Sequence, residues 1–113
     1  MILADTSVWV DHFRTGNTRL REHLAEGQVF THPMVLGELA CGNLPHRGET
    51  LALLRSLPCI PAASDEAVHL ALDSRRLWGK GIGWIDAHLI TATRIAGCRL
   101  WTLDKRLAGL AGD

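Results

Sequence analysis

Residues 83–104, GWIDAHLITATRIAGCRLWTLD, limit the fold more than any other stretch. Ile85, Leu89, Ala92 and Ala96 recur at the i, i+4, i+7, i+11 spacing of one helix face. Gly97 stops that helix, and CRLWTLD (98–104) reads as a strand. The chain opens in the mirror order. MILAD (1–5) has the look of a short buried strand closed by an acid, and TSVWVDHFR (6–14) then takes helical spacing, with Val8, Val10 and Phe13 available to a core.

Between these ends the punctuation is regular. NTRLREHLAEG (17–27) predicts a helix with Leu20 and Leu24 inward, and QVFTH (28–32) a short β segment. Pro33 suits the first turn of a helix through MVLGELACG. RGETLALLRSL (47–57) is helical, PCIPA (58–62) is extended, and SDEAVHLALDSRRLWGKG (64–81) predicts a long helix with Val68, Leu72 and Leu77 inward. Strands alternating with helices imply one α/β domain over residues 1–113, a central parallel sheet flanked by helices on both faces.

At 113 residues the chain can bury a core without disulfides. No apolar run approaches the ~18 to 20 residues of a membrane span, and no basic segment precedes the apolar start, so neither a membrane anchor nor a signal peptide is expected. Cys41, Cys59 and Cys98 are odd in number and scattered, which suggests a reducing cytoplasm. They read as small buried hydrophobes. Net charge is zero, with 12 basic and 12 acidic residues, which argues mildly against a nucleic-acid partner unless acids are committed to a metal.

Four acids stand in apolar settings. Asp5 and Asp104 each close a strand, and the carboxyl ends of parallel strands share the edge where ligands bind. Asp86 begins a helix, beside its apolar face. Each of these three could simply be a helix N-cap worth ~1 kcal/mol. Glu38 does not fit that account, because it lies several residues inside PMVLGELACG; a solvent-facing position is its plain alternative. If all four converge, repulsion decides the outcome. Two unit charges 4 Å apart repel by about 4 kcal/mol at an effective dielectric of roughly 20. Packed acids therefore hold protons or a cation, and oxygen-only ligands select Mg²⁺ or Mn²⁺ over zinc. The usual employment of such a site is hydrolysis of a phosphodiester.

LADTSVWVD, VLGELACG, GWIDAHLI and TLDKRL, in that order, resemble the motifs of PIN-domain ribonucleases of the VapC toxin type, and the resemblance runs over nearly the whole chain. It implies a PIN-like fold and an endoribonuclease that leaves a 5′-phosphate and a 3′-hydroxyl. Asp5, Glu38, Asp86 and Asp104 match the metal-binding acidic quartet, and Thr6, with Ser7 adjacent, matches the hydroxyl after the first acid. The resemblance further implies an RNA substrate, a homodimer and a cognate VapB-like antitoxin that occludes the groove.

The sequence departs from that pattern twice. It ends nine residues after Asp104, so a final strand or helix should be shortened or absent. Lys105 and Arg106 stand where such proteins often carry a further acid, which implies that a second ion binds weakly or only with RNA.

Arg75, Arg76 and Lys80 form a basic group before the GIG turn that leads to Asp86. They either complement a helix C-terminus or grip RNA phosphates. Neither HxH nor HxxxH occurs, which speaks against zinc. Trp9, Trp78, Trp84 and Trp101 suit core or subunit packing better than base stacking. Two rivals remain: a non-catalytic PIN-like module that binds RNA or protein, and a phosphoacceptor domain using Asp5. The second wants another acid beside the first, and Asp5-Thr6-Ser7 lacks it.

Overall fold

The computed structural model describes residues 1–112. Its elements run β1 (Ile2–Ala4), α1 (Thr6–Thr15), α2 (Thr18–Ala25), β2 (Val29–Phe30), α3 (Pro33–Cys41), α4 (Arg47–Ser56), α5 (Asp65–Ser74), α6 (Trp84–Ala96), β3 (Arg99–Trp101) and α7 (Lys105–Ala111). The sheet is parallel with order β2-β1-β3. Leu3 and Ala4 are adjacent on β1 and both fully buried. Successive strand side chains point to opposite faces, so both faces of the central strand are covered. The extended piece at 58–62 meets the sheet through a parallel bridge between Thr31 and Cys59.

Most packing lies in one cluster that joins Leu3, Val8, Trp9, Leu20, Val35, Leu39 and Leu89, and a smaller cluster gathers Leu77, Ile90 and Leu107. Helix α6 is buried without interruption from Ala87 to Thr93, which the Thr91 and Thr93 hydroxyls permit by donating to the Ala87 and Leu89 carbonyls of the same helix. His32 is also fully buried. It caps α3, its Nδ1 accepting the Met34 N–H at 3.0 Å.

Several expectations from sequence need correction. The helix expected over 64–81 stops at Ser74. Arg76 takes φ +52°, its N–H reaches the Asp73 carbonyl, and the Leu77 N–H reaches that of Leu72. This is a Schellman closure with arginine in the left-handed position. It lets Leu77 fold back into the smaller cluster beside Leu72. On α1 it is Trp9, not Val10, that enters the core; Val10 is exposed. Cys41 and Cys59 are exposed and Cys98 is half-buried, so none is the buried hydrophobe expected. Beyond Asp104 a seven-residue helix is present, and no strand follows it among the described residues.

Candidate active site

Asp5 leaves the end of β1 and is almost fully buried. Its backbone N–H donates to the Trp101 carbonyl at 3.0 Å, which ties it to the end of β3. Its carboxylate caps α1. Oδ1 accepts the Ser7 hydroxyl at 2.5 Å and the Val8 N–H at 3.3 Å. Ser7 is a hub: Oγ also accepts the Leu103 N–H at 3.0 Å and lies 3.3 Å from Thr102 Oγ1. Thr102 Oγ1 in turn accepts the Asp104 N–H at 3.1 Å. A chain of hydroxyls therefore connects the first strand-end acid to the last.

Asp104 is exposed and caps α7, with Oδ1 accepting the N–H groups of Arg106 (2.9 Å) and Leu107 (3.2 Å). Glu38 is exposed on α3 and points back to the start of α1, where its Oε1 accepts the Thr6 hydroxyl at 2.7 Å. Thr6 thus ties Glu38 to the residue next to Asp5. Asp86 is half-buried in the first turn of α6, and its Oδ2 accepts the Gly83 N–H at 3.2 Å. Asp86 makes no hydrogen bond to the other three. The turn that feeds α6 is itself met by Arg106, whose guanidinium lies against Gly81.

Each carboxylate is thus anchored through one oxygen, while the other accepts no hydrogen bond from the described residues. None of the four forms an ion pair with a described residue. The described residues contain no preassembled group of three or more His, Cys, Asp or Glu side chains that could hold a metal ion. Hydroxyls link Asp5 through Ser7 and Thr102 to the Asp104 N–H, the hydroxyl of Thr6, the residue after Asp5, holds Glu38, and Asp86 stands apart at the start of α6. The donor chemistry is that of a hard divalent cation: carboxylate and hydroxyl oxygens, with neither thiolate nor imidazole among them.

The basic group divides. Arg75 Nη2 donates to the Leu110 carbonyl at 3.2 Å, binding α5 to α7, whereas Arg76 and Lys80 are exposed in the turn region. Trp9 is buried and stacks on Phe13. Trp101 lies under Arg19, Trp84 meets His88 edge-on, and Trp78 is exposed. Sequence reasoning paired Ser7 with Thr6 but did not find Thr102. The signal was present, since TLD puts a hydroxyl two residues ahead of the acid, where it can accept that acid's N–H.

The family model of the PIN domain matches residues 2–113. The chain belongs to the PIN-domain family. A protein named Ribonuclease VapC32, from two strains of Mycobacterium tuberculosis, is 44% identical over 114 residues, spanning 100% of this chain and 92% of that protein. The crystal structure of Mycobacterium tuberculosis VapC20, described as a sarcin–ricin loop cleaving toxin, superposes with a TM-score of 0.70. It covers 99% of this chain and 95% of its own, at 20% identity, a likeness of fold alone. In this PIN domain the parallel pairing of β1 and β3 sets Asp5 and Asp104 beyond the shared carboxyl edge of the sheet.

Proposed function

We propose that this PIN domain is a VapC-type endoribonuclease that uses Mg²⁺ or Mn²⁺ to hydrolyse RNA phosphodiesters. The observation that carries this reading is the state of the four carboxylates: each has one oxygen anchored by a hydrogen bond and one that accepts none from the described residues, and no described cationic side chain forms an ion pair with them. The 44% identity to a protein named a ribonuclease supports the substrate class.

Asp5, Glu38, Asp86 and Asp104 would hold the ion, which when bound supplies Lewis acidity toward a phosphate oxygen and lowers the pKa of water. The chain's own part is positioning. Ser7 holds Asp5 in one rotamer, and Thr6 does the same for Glu38. Thr102 fixes the turn that presents Asp104. Gly83 N–H holds Asp86 through Oδ2 and leaves Oδ1 without a hydrogen bond from the described residues. The proposal includes an RNA substrate, a cognate VapB-like antitoxin, a homodimer and a cytoplasmic location. No described helix is long and apolar enough to cross a membrane.

The test is cleavage of RNA by purified protein with Mn²⁺, with and without chelator, alongside Asp86→Asn. Asparagine can still accept the Gly83 N–H, so the variant should remain folded while its rate falls below about 1% of wild type. An Asp86→Asn protein that cuts at full rate overturns the assignment. RNA binding by the wild type without any cleavage would instead identify a non-catalytic module.

A further inference from the structure

A groove of about 490 Å³ opens beside the Thr6–Glu38 hydrogen bond and runs along α1. Thr6, Val10 and Arg14 lie on one face of that helix, at i, i+4 and i+8, so the groove extends some 12 Å from the acids at ~1.5 Å per residue. The opposite wall is the loop between α3 and α4, with Asn43, Leu44 and Pro45. The volume lies within the ~300–1,000 Å³ of pockets that hold small ligands.

We infer that this groove holds the nucleotide next to the scissile phosphate, with Asn43 reading the edge of its base and Arg14 on the adjoining phosphate. The inference rests on the nuclease reading above and extends it to base preference. Three features carry it. The walls are apolar where a base would lie: Val10 is an exposed aliphatic, and Phe13 is braced from behind by the stacked ring of Trp9 at 5.9 Å. Bases unstacked from single-stranded RNA are held by such surfaces. The polar groups are unspent, since neither the Arg14 guanidinium nor the Asn43 amide forms a hydrogen bond or ion pair with a described residue. The loop that presents Asn43 is braced at both ends: Arg47 Nη2 donates to the Ala40 carbonyl at 2.7 Å, and the Thr50 hydroxyl donates to that of Pro45 at 2.5 Å.

A carboxamide offers one donor and one acceptor side by side, which complements adenine. An apolar peptide could line the same walls, but it would leave Arg14 and Asn43 without work. A nucleotide uses the apolar walls, the cation and the amide together, beside Glu38 at the end of the groove.

The experiment is cleavage of a fully randomised RNA oligonucleotide pool by the full chain with Mn²⁺, followed by sequencing of the product ends. Adenine should be enriched at one position flanking the cut. Asn43→Ala should reduce that enrichment by about tenfold or more, whatever its overall rate, and Asn43→Asp should move the preference toward cytosine, whose amino group donates. Arg14→Ala should weaken binding for all sequences and lessen the slope of log K against log salt by about 0.7. Unchanged base preference in Asn43→Ala overturns the inference and leaves the nuclease reading intact. A wild-type chain that cuts nothing sinks the nuclease reading, and binding of labelled oligo(A) and oligo(U) then decides the groove. An oligo(A) preference lost in Asn43→Ala sustains the inference; equal binding overturns it. RNA that leaves the Asn43 side-chain amide resonances unmoved assigns the groove to a protein segment and overturns it as well.

Discussion

Replacing Ser7 with alanine removes the hydroxyl that links Asp5 to the loop before Asp104. The Ser7–Asp5 hydrogen bond ends on a carboxylate and lies in a half-buried setting, where such bonds contribute about 1.5–3 kcal/mol. The Leu103 N–H that Ser7 accepts is near solvent, so water replaces most of that bond and its loss adds about 0.5 kcal/mol. Asp5 keeps the Val8 N–H at 3.3 Å, so α1 stays capped. The net cost should be about 2–3.5 kcal/mol. With a urea slope of about 2 kcal/mol per M, the midpoint should fall by about 1–1.75 M with the slope unchanged. Function should suffer more than stability suggests, because a carboxylate free to move by about 1 Å costs on the order of 10²-fold in rate. Thr102→Ala breaks the next link, and the double variant should show a coupling of at least about 0.5 kcal/mol. A Ser7→Ala protein within 0.5 kcal/mol of wild type, cutting RNA at an unchanged rate, would refute the claim that this hydroxyl chain holds Asp5.

Other perturbations test separate links. Burial, first of all, lowers the pKa values of His12 and His32, with Arg21 adding to the first against a smaller opposing pull from Asp11 and His88 adding to the second. Both rings accept a backbone N–H on Nδ1, which requires the neutral form. The unfolded chain therefore takes up these protons first, so stability is complete above pH 6.5 and is lost as pH falls below it; a Tm that rises between pH 7.5 and 5.5 would contradict this. Gly81 has φ +83°, and a Cβ there would stand 2.2 Å from Arg106 Nη1. Gly81→Ala should cost about 1–2 kcal/mol of backbone strain plus the displacement of Arg106, and urea titration in an Arg106→Ala background should recover only the second part. Mn²⁺ at about 100 times its Kd should stabilise the folded chain by about 2.7 kcal/mol. Asp5→Asn should abolish that thermal shift, and a shift that survives places the ion elsewhere.

How much of the fold was legible depended on whether local and tertiary signals agreed. Residues 83–101 were readable because the helix period, the Gly97 stop and the strand all fall within one unbroken stretch, although the strand expected over 98–104 ends at Trp101 and Asp104 instead caps α7. The end of α5 was not, since the sequence there carries no glycine or proline until Gly79. The helix stops because Leu77 gains burial by turning back, and that burial offsets the cost of putting Arg76 at φ +52°. The cysteines failed for the opposite reason. Composition says that cysteines favour interiors, but Cys41 lies at the exposed end of α3 and Cys59 on an edge bridge, places set by chain topology.

The acids show why capping and ion binding are poor alternatives to set against each other. A carboxylate has two oxygens, and a helix N-terminus engages one of them. Asp5 and Asp104 cap α1 and α7 through Oδ1, and Asp86 reaches back through Oδ2 to the Gly83 N–H. In each case the backbone bonds engage one oxygen and leave the other without a hydrogen bond from the described residues. The strand ends bring two such caps to one edge of the sheet, where a helix must begin and where crevices form. Only Glu38, in a helix interior, cannot use this device, and it is the acid whose carboxylate is held by a hydroxyl from another element. Thr6→Val should therefore free Glu38 while sparing the cap at Asp5, lowering cleavage with little loss of stability. If Thr6→Val destabilises the fold as much as Ser7→Ala, the division between the capping acids and the one in a helix interior is wrong.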